Sequence, residues 1–222
     1  MKGMIFDFNG TLFWDSVLHY KAWKLFSKYI RGKEFSDEEM RIHMFGHTNE
    51  DIIKYALGNC PTPEYMQKYA YEKEKLYRDE CLKQRDALTL APGAVNLLNY
   101  LKKMNIPIAI ATMSEYENVK FFIEIFNLYN WFKDENIIYS DGSIKGKPAP
   151  DIFILAANKL NLKPQDCIVA EDSLAGIEAA RLAKIGKIYA VASLENRDYY
   201  SNIDCVSKII TNFNEVDLSD FN

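Results

Sequence analysis

The chain has 222 residues, 48% of them hydrophobic and 26% charged, with a net charge of −4 at pH 7. That is the composition of a soluble globular protein, long enough for one sizeable core or for a core with a small appended domain. The acidic balance and the scattered single Lys and Arg residues argue against a polyanionic partner, so no nucleic-acid binding is expected.

Met4 to Phe6 is a short apolar run cut off by Asp-Phe-Asn-Gly-Thr, which predicts a buried strand feeding a tight loop. Residues from about 16 to 86 differ in character. Leu18, Trp23, Leu25, Phe26 and Ile30 recur at spacings of three to five, and Glu64–Arg85 reads as a long polar-faced helix. This segment is expected to be a helical insertion. From about 88 the pattern alternates: helix Pro92–Met104, with Pro92 near its first turn, then strand Ile106–Ala111 and helix Glu115–Asn127. Strand Ile137–Tyr139, helix Pro150–Leu160, strand Cys167–Ala170, helix Ser173–Ala183 and strands Lys187–Val191 and Val206–Ile210 follow. Such alternation predicts βαβ units and a parallel sheet with helices on both faces. The expected domains are an α/β core of residues 1–14 and 87–222 and an inserted helical domain of residues 15–86.

Cys60, Cys81, Cys167 and Cys205 are far apart and form no C-x-x-C pair, so reduced thiols are expected rather than disulfides or a zinc site. The apolar start is stopped at once by Asp7 and reads as no signal peptide. No apolar run reaches the roughly 18 residues that a membrane span needs. A cytoplasmic protein without membrane association is expected; the oligomeric state is not legible.

In an open α/β sheet, ligands bind beyond the carboxyl ends of the strands. Here those ends carry Asp7; Thr112 and Ser114; and Glu171 with Asp172, while Lys147 lies in Gly-Lys-Pro-Ala-Pro-Asp just before a helix. Three close carboxylates cannot all stay ionised without a cation. A hard, oxygen-rich site with few protein ligands suits Mg²⁺, which keeps waters and bridges a phosphate. With Lys147 and Mg²⁺ the site is near neutral and accepts a phosphate dianion, with backbone N–H groups around Gly10 and after Thr112 as further donors.

Asp7-Phe8-Asn9-Gly10-Thr11-Leu12 resembles the first motif of the haloacid dehalogenase superfamily, Asp-x-Asp-Gly-Thr/Val-Leu. Thr112 fits the second, Gly146-Lys147-Pro148-Ala149-Pro150-Asp151-Ile152-Phe153 the third, and Glu171-Asp172-Ser173-x-x-Gly176-Ile177-x-Ala179-Ala180 the fourth. The insertion resembles the helical cap of the β-phosphoglucomutase and phosphoglycolate phosphatase branch. The resemblance implies a Rossmann-like core and a phosphatase that forms an aspartyl-phosphate on Asp7. Thr112 would hydrogen-bond the phosphoryl group and Lys147 would orient Asp7. Asp7, Glu171, Asp172 and the carbonyl of Asn9 would hold Mg²⁺. The substrate would be a small phosphorylated metabolite.

Position 9 departs from the family, which has an aspartate there that protonates the leaving oxygen and then activates water. Asn9 does neither well, and general acid–base catalysis is typically worth about 10²–10⁴-fold. A slowed or specialised phosphatase, a proton supplied by another group, an engineered substitution and partial deamidation at Asn9-Gly10 are the readings of this change. The cap resemblance adds His19, Trp23 and the loop Gly46, His47, Asn49 as substrate contacts, beside Gly10, Met113 and Ser114 in the core. The plainer readings make His19 and Trp23 helix core, His43 packing, and Ser114 and Asp15 helix caps. Asn49 stands where related mutases have an arginine for a second phosphate and phosphonate-cleaving relatives a lysine, which weakens both alternatives. A degenerate phospho-ligand-binding protein is the remaining reading from another class.

Overall fold

The computed structural model describes residues 2–44, 48–194 and 197–221. The chain divides into two compact units, Met1–Trp14 with Thr89–Asn222, and Asp15–Leu88.

The first unit is α/β. Its strands are β1 (Gly3–Phe6), β2 (Ile108–Ala111), β3 (Ile137–Ile138), β4 (Cys167–Glu171), β5 (Lys187–Val191) and β6 (Lys208–Ile210). All pair in parallel, in the order β3-β2-β1-β4-β5-β6. β1 is central, with Ile5 opposite Ala109 on one side and Val169 on the other. Strands covered on both faces are apolar at every position, which is why Met4, Ile5 and Phe6 are all fully buried. Side chains alternate between the faces. Ile5, Ala109 and Val169 pack with Ile152, Phe153, Ala156, Ile177 and Ala180, residues of α7 (Asp151–Lys159) and α8 (Leu174–Leu182). Phe6, the next residue of β1, meets Phe132 and Phe213 at 6.3 and 5.8 Å.

Two more helices, α5 (Ala94–Lys103) and α6 (Tyr116–Phe126), complete this unit among the described residues. α5 starts two residues later than expected, and Pro92 lies outside it. Gly93 intervenes with φ +81°, and a Cβ there would stand 2.5 Å from the backbone N of Asn214, so a side chain is excluded by both conformation and space. β2 and β6 are also shorter at their starts than the apolar runs suggest. Hydrophobicity marks burial, and Ile106 is half-buried in the turn before β2 without joining the ladder.

The second unit holds α1 (Ser16–Arg31), α2 (Asp37–His43), α3 (Asn49–Leu57) and α4 (Pro63–Leu82). Its core includes Trp23, Phe26, Phe35, Met40, Ile52 and Ile53. The helix starts follow from local chemistry. Ser36 with Glu39 and Thr48 with Asp51 each form a reciprocal capping box, and Thr62 accepts from Tyr65 N ahead of Pro63. Asp15 precedes α1, but its carboxylate does not cap the helix. It is buried, accepting from the Tyr77 hydroxyl and facing His19 Nε2 at 3.3 Å. No helix among the described residues is long and apolar enough to cross a membrane.

Candidate active site

The central position of β1 sets the site. Chain order reverses on either side of it, with β2 as one neighbour and β4 as the other, which makes the carboxyl ends of these three strands the switch point where such sheets bind ligands. Asp7 extends the β1 ladder, its N–H donating to Ala170 O at 3.0 Å. The chain then turns tightly. Thr11 N and Phe13 N both donate to Phe8 O, and Gly10 N donates to Phe13 O at 2.7 Å. Gly10 has φ +77°, and a Cβ on it would lie 2.2 Å from Asp172 Oδ2. The turn therefore demands glycine twice over, by conformation and by the approach of the carboxylate.

Lys147 joins two of these strand ends. Its side chain is buried and donates to Asp7 Oδ1 at 2.6 Å and to Glu171 Oε1 at 3.0 Å, with the Phe153 ring beneath it at 5.0 Å. Burial alone would pull the ammonium pKa down, but the Asp7 and Glu171 carboxylates outweigh it and hold it above its ordinary value. Glu171 also accepts from Ser173 Oγ and from Asp172 N. Asp172 accepts from Thr11 Oγ1 at 2.9 Å, and its carbonyl is anchored by the Tyr200 hydroxyl at 2.6 Å.

Ligand atoms of Asp7, Glu171 and Asp172 lie within 4.8 Å of one another. Burial, then the neighbouring Glu171 and Asp7 charges, push the Asp172 carboxyl well above the ordinary carboxylate range, against the Thr11 hydrogen bond and Lys147. One ammonium thus does not neutralise three crowded carboxylates. The donor set is all oxygen and carries more negative charge than Lys147 offsets, so the residues present fit a hard divalent cation such as Mg²⁺.

On the β2 side, Thr112 continues the ladder through its N–H to Ile138 O, and its hydroxyl accepts from Ser114 N at 3.1 Å. Ser114 Oγ donates to Asn9 Oδ1 at 2.6 Å, and Thr112 Oγ1 reaches the same oxygen at 3.5 Å. Ser114 is therefore not the cap of α6. Glu115 holds that position and makes no side-chain cap bond. Met113 packs on the sheet core beside the Gly146 loop, its Cε 3.4 Å from where a Gly146 Cβ would be.

The α/β unit thus brings together Asp7, Asn9, Gly10, Thr112, Met113, Ser114, Lys147, Glu171 and Asp172. His19, Trp23 and Asn49 belong to the helical unit. Trp23 is core there, edge-on to Phe26 at 5.6 Å. His19 stacks on Tyr77 and is joined to Lys73 Nζ, and Asn49 donates to Glu74. Gly46 and His47 lie outside the described residues. Sequence reasoning gave no role to Thr11, Ser173 or Tyr200. The first two sit inside recognised motifs and were legible there. Tyr200 is remote from every motif and reaches Asp172 only through the fold.

A parallel sheet with a cluster of carboxylates at its switch point, bridged by a buried lysine, defines a class: α/β enzymes with an aspartate and an acidic pair at the strand ends. The family model for haloacid dehalogenase-like hydrolases matches residues 1–184, and the chain belongs to that family; it is an enzyme of the phosphatase-type hydrolases. It is 29% identical over 193 residues to the "Phosphorylated carbohydrates phosphatase" of Thermotoga maritima, covering 86% of this chain and 85% of the relative. It is 30% identical to the "Beta-phosphoglucomutase" of Bacillus subtilis, covering 82% and 80%. Among solved structures, a family IA, variant 3 hydrolase of Entamoeba histolytica superposes with TM-score 0.94 at 39% identity, covering 100% of this chain and 97% of that one.

Proposed function

We propose that this protein is a Mg²⁺-dependent phosphatase that hydrolyses a small phosphorylated metabolite through an aspartyl-phosphate on Asp7. The observation that carries the reading is the convergence of Asp7, Lys147, Glu171 and Asp172 within hydrogen-bond or metal-sharing distance at the centre of the sheet. Lys147 fixes the rotation of the Asp7 carboxylate and offsets charge that develops on the phosphoryl oxygens. Thr112, with the backbone around Gly10, Met113 and Ser114, supplies donors to the same group. Asp7, Glu171, Asp172 and the Asn9 carbonyl are the proposed metal ligands. The cation, when bound, supplies electrostatic stabilisation to the transferring phosphoryl group.

The Thermotoga relative's name favours a phosphorylated carbohydrate as substrate. The helical unit is proposed as the family's substrate-selecting cap, with His19, Gly46, His47 and Asn49 as its contacts, while Trp23 is buried in that unit's own core. The free thiols suit a reducing compartment, so the cytoplasm is proposed. The Bacillus relative supports a mutase as the second reading. Asn9 weighs against it, because a mutase needs the proton-transfer group in both half-reactions.

Phosphate release with Mg²⁺ would be measured on acyl, aryl, sugar and nucleotide monophosphates for the native chain, Asn9→Asp and Asp7→Asn. Restoring the acid should raise turnover of sugar phosphates at least about 100-fold, and Asp7→Asn should abolish it. No turnover by the native chain or Asn9→Asp on any substrate would overturn the assignment. Isomerised sugar phosphate in place of free phosphate would favour the mutase.

A further inference from the structure

Asp172 is the single residue between two elements. Glu171 ends β4, and Ser173 caps α8 by accepting from Gly176 N. The backbone of Asp172 therefore depends on partners outside both elements. Its side chain does too. Ligand oxygens of Asp7 and Glu171 lie within 4.8 Å of its own, so like charges push Asp172 away from the cluster it belongs to. The Lys147 ammonium donates to Asp7 and to Glu171. Asp172 is held instead by two hydroxyls. Thr11 Oγ1 donates to its carboxylate at 2.9 Å, and Tyr200 donates to its carbonyl at 2.6 Å.

The fold, rather than any motif, brings Tyr200 here. β5 lies beside β4 with Ala190 opposite Glu171, so the connection from β5 to β6 leaves next to the carboxyl end of β4. Tyr200 lies in that connection and is only 3% exposed, part of the same core cluster as Ile177, Ala180 and Ala192. The chain around it is fixed as well. Tyr200 N donates to Arg197 O and Ile203 N to Tyr200 O, while the Arg197 guanidinium donates to Ile209 O of β6 and to Glu215. A ring packed in the core and a backbone tied to β6 hold the hydroxyl where it meets Asp172.

The consequence of a fixed Asp172 depends on the cation. Mg²⁺ demands near-octahedral oxygens at about 2.0–2.1 Å, whereas Ca²⁺ accepts flexible arrangements of more ligands at about 2.3–2.6 Å. A carboxylate that swings costs the small cation more than the large one. Resting on the reading of Asp7, Glu171 and Asp172 as metal ligands, we propose that Tyr200 is a positioning residue of that site, fixing Asp172 through its carbonyl and raising the affinity for Mg²⁺ relative to Ca²⁺.

The test uses the full-length native chain, Tyr200→Phe and Tyr199→Phe. The first variant keeps the buried ring and removes its hydroxyl. The second removes the neighbouring hydroxyl, on a ring that is 47% exposed and stands edge-on to Tyr200 at 5.0 Å. Mg²⁺ and Ca²⁺ are titrated separately by calorimetry, and Tm is measured in EDTA. Tyr200→Phe should weaken Mg²⁺ binding about 10-fold and Ca²⁺ binding less, so that the ratio of the two affinities falls, with Tm in EDTA close to native. Tyr199→Phe should bind both cations as the native chain does. Unchanged Mg²⁺ affinity in Tyr200→Phe, equal losses for the two cations, or the same losses in Tyr199→Phe would each overturn the proposal and leave the metal site standing. A Tyr200→Phe chain that melts far below the native one in EDTA yet keeps the native ratio would make Tyr200 purely structural, which also overturns it. If the native chain binds neither cation, the reading of the carboxylates as metal ligands fails and the proposal falls with it.

Discussion

Gly176 shows how a residue with no side chain shapes the acidic crevice. It lies in the first turn of α8, and a Cβ placed on it would stand 1.4 Å from Glu171 Oε1. Glu171 is buried, and its carboxylate is held by Lys147, Ser173 and the Asp172 N–H, so it has little room to yield. Gly176→Ala is expected to displace Glu171, at a stability cost of about 1–3 kcal/mol, and to weaken Mg²⁺ binding. Urea denaturation with and without Mg²⁺ checks both; an unchanged Mg²⁺ response would show that the helix, rather than the carboxylate, moves. Glu39 supplies a pH prediction. The Arg31 guanidinium, then the Ser36 N–H, hold its carboxyl well below its ordinary value of 4.5, against burial. A depressed acid stabilises the fold fully above its unfolded pKa and loses that contribution as pH falls through the folded one. Glu39→Gln should therefore lower stability at pH 7, by at most about 1 kcal/mol after solvent screening, and the difference should shrink steadily below about pH 4. A pH-independent difference in urea midpoints would show that the charge is not its source.

At the scale of elements, α4 carries an unusual burden. Lys73 and Glu74 are both buried, on a helix whose polar faces suggest a solvent-exposed element. Lys73 Nζ donates to Glu74 Oε1 at 2.7 Å, approaches His19 Nδ1 at 3.0 Å and lies 4.8 Å over the Trp23 ring. An ammonium only donates, so His19 accepts at Nδ1 and keeps its hydrogen on Nε2, the atom facing Asp15. Asn49 brings α3 into the same network through Glu74 Oε1. Lys73→Met removes the cation and leaves the carboxylate buried, which should cost about 3–5 kcal/mol. Replacing both, in Lys73→Met with Glu74→Gln, should recover much of that loss. A double-mutant cycle in urea reads the coupling; additive losses would mean that the two side chains act independently. In the α/β unit the counterpart is apolar. Phe8 stacks on Phe122 of α6 at 4.5 Å and anchors the loop that carries Asn9 and Gly10. Phe8→Ala should destabilise by about 3–5 kcal/mol and lower turnover with it, read by thermal unfolding and phosphate release.

For the whole molecule, the crowding of Asp7, Glu171 and Asp172 makes the proposed metal site a stability prediction. A cation that binds only the folded chain stabilises it by about 2.7 kcal/mol at a hundred times its Kd. For a chain of this length that corresponds to a Tm rise of roughly 5–10 °C. Because the Asp172 carboxyl is pushed up, a cation bound there would compete with a proton, and the rise should diminish as pH falls. Asp172→Asn should reduce it strongly; a full response in that variant would place the cation elsewhere.

The sequence by itself determined the alternating strands and helices, the helical insertion and the strand-end chemistry, because parallel strands buried on both faces must be apolar and their first polar residues fall at the crevice. It also pointed to Asp7, Thr112, Lys147, Glu171 and Asp172 through four ordered motifs, and the fold brings these residues together. Element ends were less legible. Burial and ladder pairing part company at Ile106, and Pro92 is displaced from α5 by Gly93. The partners of Ser114, Asp15, Lys73 and Tyr200 were decided only by the tertiary structure. Each of these side chains has a polar group that local chemistry could satisfy in several ways, as a helix cap or in solvent. Which partner it takes depends on residues brought close from elsewhere in the chain: Asn9 for Ser114, Tyr77 for Asp15, His19 for Lys73 and Asp172 for Tyr200. Such encounters follow from the packing of whole elements, and no short stretch of sequence encodes them.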